Sequence, residues 1–160
     1  GSYTGLRVGM ASAKGICYAL NKPLIAVTTL EVMAAAAMET FPGFDMYAPM
    51  IDARRNEVYA ALYEPAMKVV LPPHAAILSG NLFPKVPQDK KILFFGSGAS
   101  KWKQMGVFSN NASFKEAVYN GKHLATLLFK SFKNNHFCNL AYTEPLYIKD
   151  VHFAGPKKAE

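Results

Sequence analysis

The chain has 160 residues, of which 51% are hydrophobic and 18% charged, and its formal net charge is +7. This composition is typical of a globular domain with a packed core and excludes a disordered tail. The longest uncharged apolar run, residues 32–38, is too short to span a bilayer. We expect neither a signal peptide nor a membrane anchor, and we therefore predict that the protein is located in the cytoplasm. The charge permits contact with nucleic acid, but the basic residues are spread thinly apart from Lys157 and Lys158.

The first segment predicts a helix from Tyr3 to Asn21. Apolar residues recur at the spacing of one helical face, namely at Leu6, Met10, Ala13, Cys17 and Leu20. A second face carries small residues, namely Gly5, Gly9, Ser12 and Ala19, and Arg7 and Lys14 line up on a third. Each internal glycine costs about 1 kcal/mol relative to alanine. Such a cost makes sense where another backbone approaches that face closely.

The next segment predicts a short buried strand at residues 24–27, followed by a helix. Thr28 and Glu31 form a capping-box pattern that opens this helix, which we expect to continue to about Glu39. The strand has no partner nearby in the sequence, so another part of the protein must cover it.

The remainder of the chain predicts an α/β lobe with a mixed sheet, and a domain boundary near residues 40–47. The predicted elements are an antiparallel hairpin (46–52 and 57–63), a third strand (67–71) closed by Pro72 and Pro73, a buried strand (91–95), a helix (114–133) and an extended segment (144–149).

Two glycine-rich turns are candidate anion sites. Exposed N–H groups at the start of the first helix favour an anion, and the residues there are Gly1, Ser2, Thr4 and Gly5. A tight turn capped by Ser2 or Thr4 is the alternative. Gly96 and Gly98 follow a buried strand, where a nucleotide contact or an ordinary strand-to-helix turn is possible.

Other signs of catalytic chemistry are sparse in the sequence. Asp52 and Glu57 flank a turn and form either a carboxylate pair or surface ion pairs with Arg54 and Arg55. The four histidines have no metal-ligand spacing, and no G-x-S-x-G nucleophile motif is present. Cys17 and Cys138 are expected to be free thiols.

Several segments together resemble the TsaB (YeaZ) family of bacterial threonylcarbamoyladenosine biosynthesis proteins. These segments are, in order, GSYTGLRVG, PLIAVTTLE, IDARRNEVYAALY, FFGSGA and TEPLYIKD. The family-motif residues among them are Asp52, Arg54, Glu57, Tyr59, Glu144, Pro145 and Tyr147.

The resemblance implies an actin-like, Hsp70-like α/β fold of two lobes. Residues 1–42 would be the remnant of the first lobe, and residues 43–160 the second lobe with a basic tail. The family pattern also leads us to expect further strands, with an IDTS-like motif, before Gly1. Those strands would cover residues 24–27.

The resemblance further implies a non-catalytic partner of TsaD, the metal-carrying protein that transfers the threonylcarbamoyl group to adenosine next to the anticodon of tRNA. The small ATPase TsaE would join the two proteins in a complex, and this chain is also expected to form a homodimer. The chain would contact tRNA only indirectly, through the complex. No cofactor is expected for this chain alone, and ATP or ADP only in the complex. The implied partner surface lies on the first helix, at Gly5, Arg7, Gly9, Ser12 and Lys14.

Two other functions remain open at this point. One is a glycoprotease-like peptidase or nucleotide hydrolase, as an older label of the family suggests. The other is a stand-alone RNA-binding module, which rests only on the positive charge.

Overall fold

The computed structural model describes residues 3–79, 82–84, 86–87, 89–106, 108 and 110–149, which form a five-stranded sheet and four α-helices. The elements are α1 (Tyr3–Ala19), α2 (Thr29–Thr40), β1 (Met46–Asp52), β2 (Glu57–Glu64), a short 3-10 turn (Pro65–Met67), β3 (Lys68–Ile77), β4 (Ile92–Phe95), α3 (Ser97–Met105), β5 (Ala112–Phe114) and α4 (Gly121–Lys133). Within this part of the chain, no helix is both long and apolar enough to cross a membrane.

The sheet is mixed, as the sequence predicts. Its order is β3-β2-β1-β4-β5, in which β1, β2 and β3 pair antiparallel while β4 and β5 continue parallel to β1. Alternate residues of each strand point to opposite faces, so each face carries its own apolar cluster. One cluster packs under Trp102 of α3 and includes Met46, Met50, Val58, Leu62 and Phe94. The other packs under α2 and includes Leu30, Met33, Tyr47, Tyr63, Leu93 and Phe95.

Helix α2 begins as predicted, with a capping box. The Thr28 hydroxyl accepts a hydrogen bond from the backbone N–H of Glu31, and the Glu31 carboxylate accepts one from the N–H of Thr28. Six residues of α2 are buried, and the helix packs on β1. The predicted domain boundary near residues 40–47 stays a prediction.

The third strand is longer than predicted, because it continues through Pro72 and Pro73 to Ile77. β3 lies at the edge of the sheet, where one side of the strand needs no ladder donors and proline is tolerated. The register also shifts there, because Leu62 pairs with Leu71 while Ala60 pairs with His74. This irregularity accommodates the two prolines.

The predicted strand at residues 24–27 is wrong. Only Leu24 pairs, in an isolated antiparallel bridge with Cys138, whose N–H donates to the Leu24 carbonyl at 2.8 Å. The segment after α4 therefore contacts the residue that we expected strands outside the chain to cover.

The predicted helix at residues 114–133 begins later, at Gly121. Asn120 is its N-cap, and the Asn120 carbonyl oxygen of the side chain accepts from the N–H of Lys122 at 2.9 Å. Phe114 instead ends β5, where its ring lies 5.7 Å from that of Phe94 and 5.8 Å from that of Trp102. Phe114 fits a helical apolar pattern, but the aromatic cluster holds it in the sheet.

Two buried tyrosines, which are paired across β1 and β2, differ in the hydrogen bonding of their hydroxyl groups. Tyr47 donates a hydrogen bond to the Phe41 carbonyl at 2.9 Å. The Tyr63 hydroxyl is buried and makes no hydrogen bond of ordinary geometry with another described residue, although the Thr28 side chain lies near enough to oppose part of the rise in its pKa. Burial, with a smaller contribution from the charge of Glu31, raises the pKa of Tyr63 to about 12, so the group stays neutral.

We expect opposite effects from removing these two hydroxyls. Tyr47→Phe should lower the free energy of unfolding by about 1 kcal/mol, since a buried hydrogen bond is lost. Tyr63→Phe should leave that free energy unchanged or raise it, since it removes an unpaired buried polar group. Urea denaturation of both variants measures the difference. Equal destabilisation would contradict this account of Tyr63.

Candidate functional site

Helix α1 lies on the outside of the molecule and contains no buried residue. Met10 and Cys17 are half-buried on the face that the sequence marks as apolar, whereas Gly5, Gly9 and Ser12 are exposed. A Cβ atom built on Gly9 meets no atom within 4 Å. At Gly9, the predicted small-residue face therefore has room above its backbone within the described part of the chain.

The other side of α1 is held by residues 139–149, which we call the strap. The Lys14 ammonium donates to the backbone carbonyls of Ala141 at 2.9 Å and Thr143 at 3.1 Å. Asn139 shapes this turn, because its side-chain oxygen accepts from the Ala141 N–H and its backbone carbonyl accepts from the Thr143 N–H. The two carbonyls thus converge on one cation.

Arg7 makes the second attachment of α1 to the strap. Its Nε donates to the Tyr147 hydroxyl at 3.3 Å, and its guanidinium lies 4.2 Å from the centre of the Tyr3 ring. The Tyr3 and Tyr147 rings lie 4.9 Å apart. Arg7 and Lys14, which the resemblance places at a partner surface, bind the strap of their own chain.

The hairpin between β1 and β2 forms as predicted, but its ion pairs do not involve Arg54 and Arg55. Asp52 Oδ1 lies 2.8 Å from the ammonium of Lys101 in α3, and Glu57 pairs with Lys149 of the strap. Lysines that are distant in sequence reach these carboxylates because α3 and the strap pack beside the hairpin. Each of the two carboxylates therefore has a lysine as its ion-pair partner.

The Asp52–Lys101 contact gives a pH-dependent contribution to stability. The hydrogen bond from Lys101, with a further one from the Arg54 N–H, holds the pKa of Asp52 below its ordinary value of 3.8. A carboxyl whose pKa is lowered on folding stabilises the fold above its unfolded pKa, and this contribution is lost as pH falls through the folded pKa.

We therefore expect Asp52→Asn to lower the free energy of unfolding by a constant amount from pH 7 down to about pH 5. The difference in unfolding free energy between the two proteins should shrink below pH 3.8, which is the ordinary pKa of an aspartate carboxyl. It should vanish once the Asp52 carboxyl of the wild type is protonated. Thermal unfolding of both proteins across this range measures the deficit. A deficit that grows on acidification would show that the cause is not the charge.

Packing accounts for both glycines of the turn after β4. Gly96 is the N-cap of α3 with φ +94°, and a Cβ there would lie 2.4 Å from the Met50 carbonyl oxygen. A Cβ on Gly98 would lie 2.7 Å from a methyl of Val58. Between them, the Ser97 hydroxyl accepts from the Asp52 N–H at 3.1 Å. The predicted strand-to-helix turn is confirmed, and a nucleotide contact here stays a hypothesis.

The remaining predicted residues are dispersed. Thr4 lies with Gly5 in the first turns of α1, while Gly1 and Ser2 lie outside the described residues, as does the basic tail. Tyr59 pairs with Ile51 across the hairpin. In the strap, Glu144 is exposed and Pro145 is half-buried.

Cys17 and Cys138 are both free and half-buried. The Cys17 thiol donates a hydrogen bond to the Pro23 carbonyl at 3.6 Å. In the turn after β4, the Ser100 hydroxyl donates a hydrogen bond to the Gly96 carbonyl. Among the described residues, no group of three His, Cys, Asp or Glu side chains is placed to hold a metal ion.

Sequence reasoning missed the residues that link these segments. Lys101 belongs to no motif, Lys149 lies in the TEPLYIKD segment but has no role assigned from the sequence, and lysine is ordinarily a solvated surface residue. Tyr3 lies on a different side of α1 from the small-residue face. Nothing in its position in the sequence indicates that its ring contacts Tyr147.

Comparison with known proteins agrees with the resemblance. Residues 1–154 match the family described as "TsaD: tRNA N6-adenosine threonylcarbamoyltransferase". The tRNA threonylcarbamoyladenosine biosynthesis protein TsaB of Escherichia coli K12 is 41% identical over 94% of this chain and 67% of its own length. TsaB of Bacillus subtilis 168 is 37% identical over 66% of this chain and 46% of its own length. The chain thus spans about half of the B. subtilis relative.

Solved structures show the same fold. A Pseudomonas aeruginosa protein "with similarity to peptidase YEAZ" superposes with a TM-score of 0.76, at 22% identity, over 93% of this chain and 69% of that one. YeaZ from P. aeruginosa superposes with a TM-score of 0.71, at 22% identity, over 92% of this chain and 69% of that one. The predicted α/β, actin-like fold class is confirmed. The chain belongs to the TsaB (YeaZ) family of tRNA threonylcarbamoyladenosine biosynthesis proteins.

Proposed function

We propose that this chain is a non-catalytic partner subunit of TsaD in the formation of threonylcarbamoyladenosine in tRNA, and that it binds TsaD through the exposed small-residue face of α1. The observation that carries the proposal is a 17-residue helix on the outside of the molecule without one buried residue. A helix with such a face is ordinarily covered by a partner, because small residues allow two backbones to approach closely.

The strap supports this proposal by holding α1 in place from the opposite side. Lys14 and Arg7 reach the strap through hydrogen bonds and a ring contact, so the face with Gly5, Gly9 and Ser12 stays outward. A preorganised helix loses less entropy on binding than a mobile one. We assign Arg7 and Lys14 to this positioning, and the three small residues to the contact itself. A second copy of the chain would use the same face.

The electrostatics of the described carboxylates also favour a binding role. Asp52 and Glu57 are each paired with a lysine, and Lys122 lowers the pKa of Glu39 through a hydrogen bond at 2.6 Å. A general acid or base works best with a pKa near the operating pH, and a lowered carboxyl pKa moves away from it. In this proposal TsaE and nucleotide join only the assembled complex, in the cytoplasm.

Reconstitution tests the proposal. The chain should co-elute with TsaD in size-exclusion chromatography, and threonylcarbamoyladenosine in tRNA, measured by mass spectrometry, should form with TsaD and the chain together but not with the chain alone. The chain alone should show neither peptidase activity nor ATP hydrolysis. Robust turnover by the chain alone would favour the enzymatic alternative.

A further inference from the structure

The tip of the β1–β2 hairpin carries two consecutive arginines in a backbone conformation that side chains rarely adopt. The φ angles are +66° at Arg54 and +49° at Arg55. Left-handed backbone costs a non-glycine residue about 1–2 kcal/mol, and Gly and Asn are the residues that ordinarily adopt it. Residues that stand against this preference point to a use for their side chains.

The tip is also rigidly supported from below. Asp52 Oδ1 accepts hydrogen bonds from the Arg54 N–H at 2.9 Å and from the Lys101 ammonium at 2.8 Å. The same ammonium donates to the carbonyl of Arg55. Helix α3 therefore fixes the backbone of the turn while both arginine side chains extend outward.

The two guanidinium groups are unpaired positive charges within the described part of the chain. Both residues are exposed, and neither forms an ion pair with another described residue. The carboxylates nearby, on Asp52 and Glu57, are already paired with lysines. Lysine thus neutralises the local negative charge and leaves the arginines available.

The tip lies on the same side of the molecule as the beginning of α1. The strap contacts Arg7 through Tyr147 and Glu57 through Lys149. These two strap residues are two positions apart, a span of at most about 7 Å. The arginines therefore lie near the strap, on the side of α1 that is opposite the small-residue face.

We infer that Arg54 and Arg55 bind phosphate groups of the tRNA backbone on the strap side of α1, an inference that rests on the proposed function. The planar guanidinium matches phosphate with two parallel hydrogen bonds. The exposed tip from Asp52 to Asn56 has no large apolar or aromatic side chain, and its two arginines stand beside carboxylates that are already paired with lysines. RNA therefore fits the tip better than an acidic protein, and the chain as a whole carries a net charge of +7.

The test replaces both arginines with residues that tolerate left-handed backbone, in the double variant Arg54→Asn with Arg55→Gly. This variant removes two charges while relieving the backbone, so it should fold at least as well as the wild type. The matched control is Lys22→Gln with Lys130→Gln, which removes two exposed charges elsewhere. Binding of fluorescein-labelled total tRNA is measured by anisotropy from 50 to 200 mM salt, on the chain alone and on its complex with TsaD.

We expect the arginine variant to bind tRNA about tenfold more weakly, and its plot of log affinity against log salt to be less steep by about 1.4–1.8, as two lost phosphate contacts require. The control should stay within about twofold of wild type. Equal loss in the control, unchanged affinity of the arginine variant, or no tRNA binding by the wild type at 50 mM salt would each overturn the inference.

Two further outcomes separate this inference from the proposed function. A variant that keeps its tRNA affinity but no longer co-elutes with TsaD would make the tip a protein contact and overturn the RNA assignment. A wild-type chain that does not co-elute with TsaD contradicts the proposed function, whereas the effect of the variant on tRNA binding by the chain alone still decides the inference.

Discussion

Gly9→Leu should weaken the binding of this chain to TsaD at least about tenfold, which corresponds to 1.4 kcal/mol, while making the chain itself more stable. No atom lies within 4 Å of a Cβ built on Gly9, so the leucine side chain meets nothing in the isolated chain. Replacing a helical glycine with a strong helix former should add about 1 kcal/mol to the free energy of unfolding. The same side chain would separate two closely packed backbones, and overpacking of that kind ordinarily costs 1–3 kcal/mol.

The opposite signs of the two effects make the result diagnostic. Size-exclusion chromatography and titration calorimetry with TsaD measure pairing, and thermal unfolding measures stability. Gly15→Leu is the matched control, because Gly15 is also an open position of α1 but lies about a third of a turn from Gly9 around the helix. It should stabilise the chain equally and leave pairing intact. Unchanged binding of the Gly9 variant would remove α1 from the TsaD contact.

The sequence predicts the elements whose signals are local. The capping box at Thr28 and Glu31 places the start of α2, and two apolar runs (46–52 and 57–63) on either side of a polar turn place the hairpin. Both depend on interactions within a few residues, so a short window contains their cause. β5 and the late start of α4 were missed because Phe114 is held by Phe94 and Trp102, which lie elsewhere in the chain.

The candidate site divides in the same way. The small-residue face of α1 follows from helical periodicity, and the structure finds Gly5, Gly9 and Ser12 exposed. The role of Lys14 does not follow, because its partners are backbone carbonyls of the strap, and a carbonyl has no signature in the sequence. The partners of Asp52 and Glu57 were missed for a related reason, since Lys101 and Lys149 approach them only through the packing of α3 and the strap.

Gly96→Ala should be the most destabilising single methyl addition in the chain, because two separate costs meet at this position. Its φ of +94° and ψ of 177° form a conformation that is essentially restricted to glycine, at a cost of about 1–3 kcal/mol for other residues. The added Cβ would also lie 2.4 Å from the backbone oxygen of Met50, in the middle of β1. A flexible side chain such as that of Met33 can move aside, whereas a paired strand cannot do so without breaking its ladder.

Gly43→Ala separates these two costs. Gly43 has the same φ of +94°, and a Cβ built on it meets nothing within 4 Å. We expect Gly43→Ala to lower the free energy of unfolding by about 1–3 kcal/mol, and Gly96→Ala to lower it by several kcal/mol more, enough to unfold a domain of ordinary stability. Urea denaturation followed by circular dichroism measures both variants, and soluble yield serves where the Gly96 variant does not fold. Equal losses would mean that β1 and α3 can separate at this turn, and packing would then no longer explain why glycine occupies position 96.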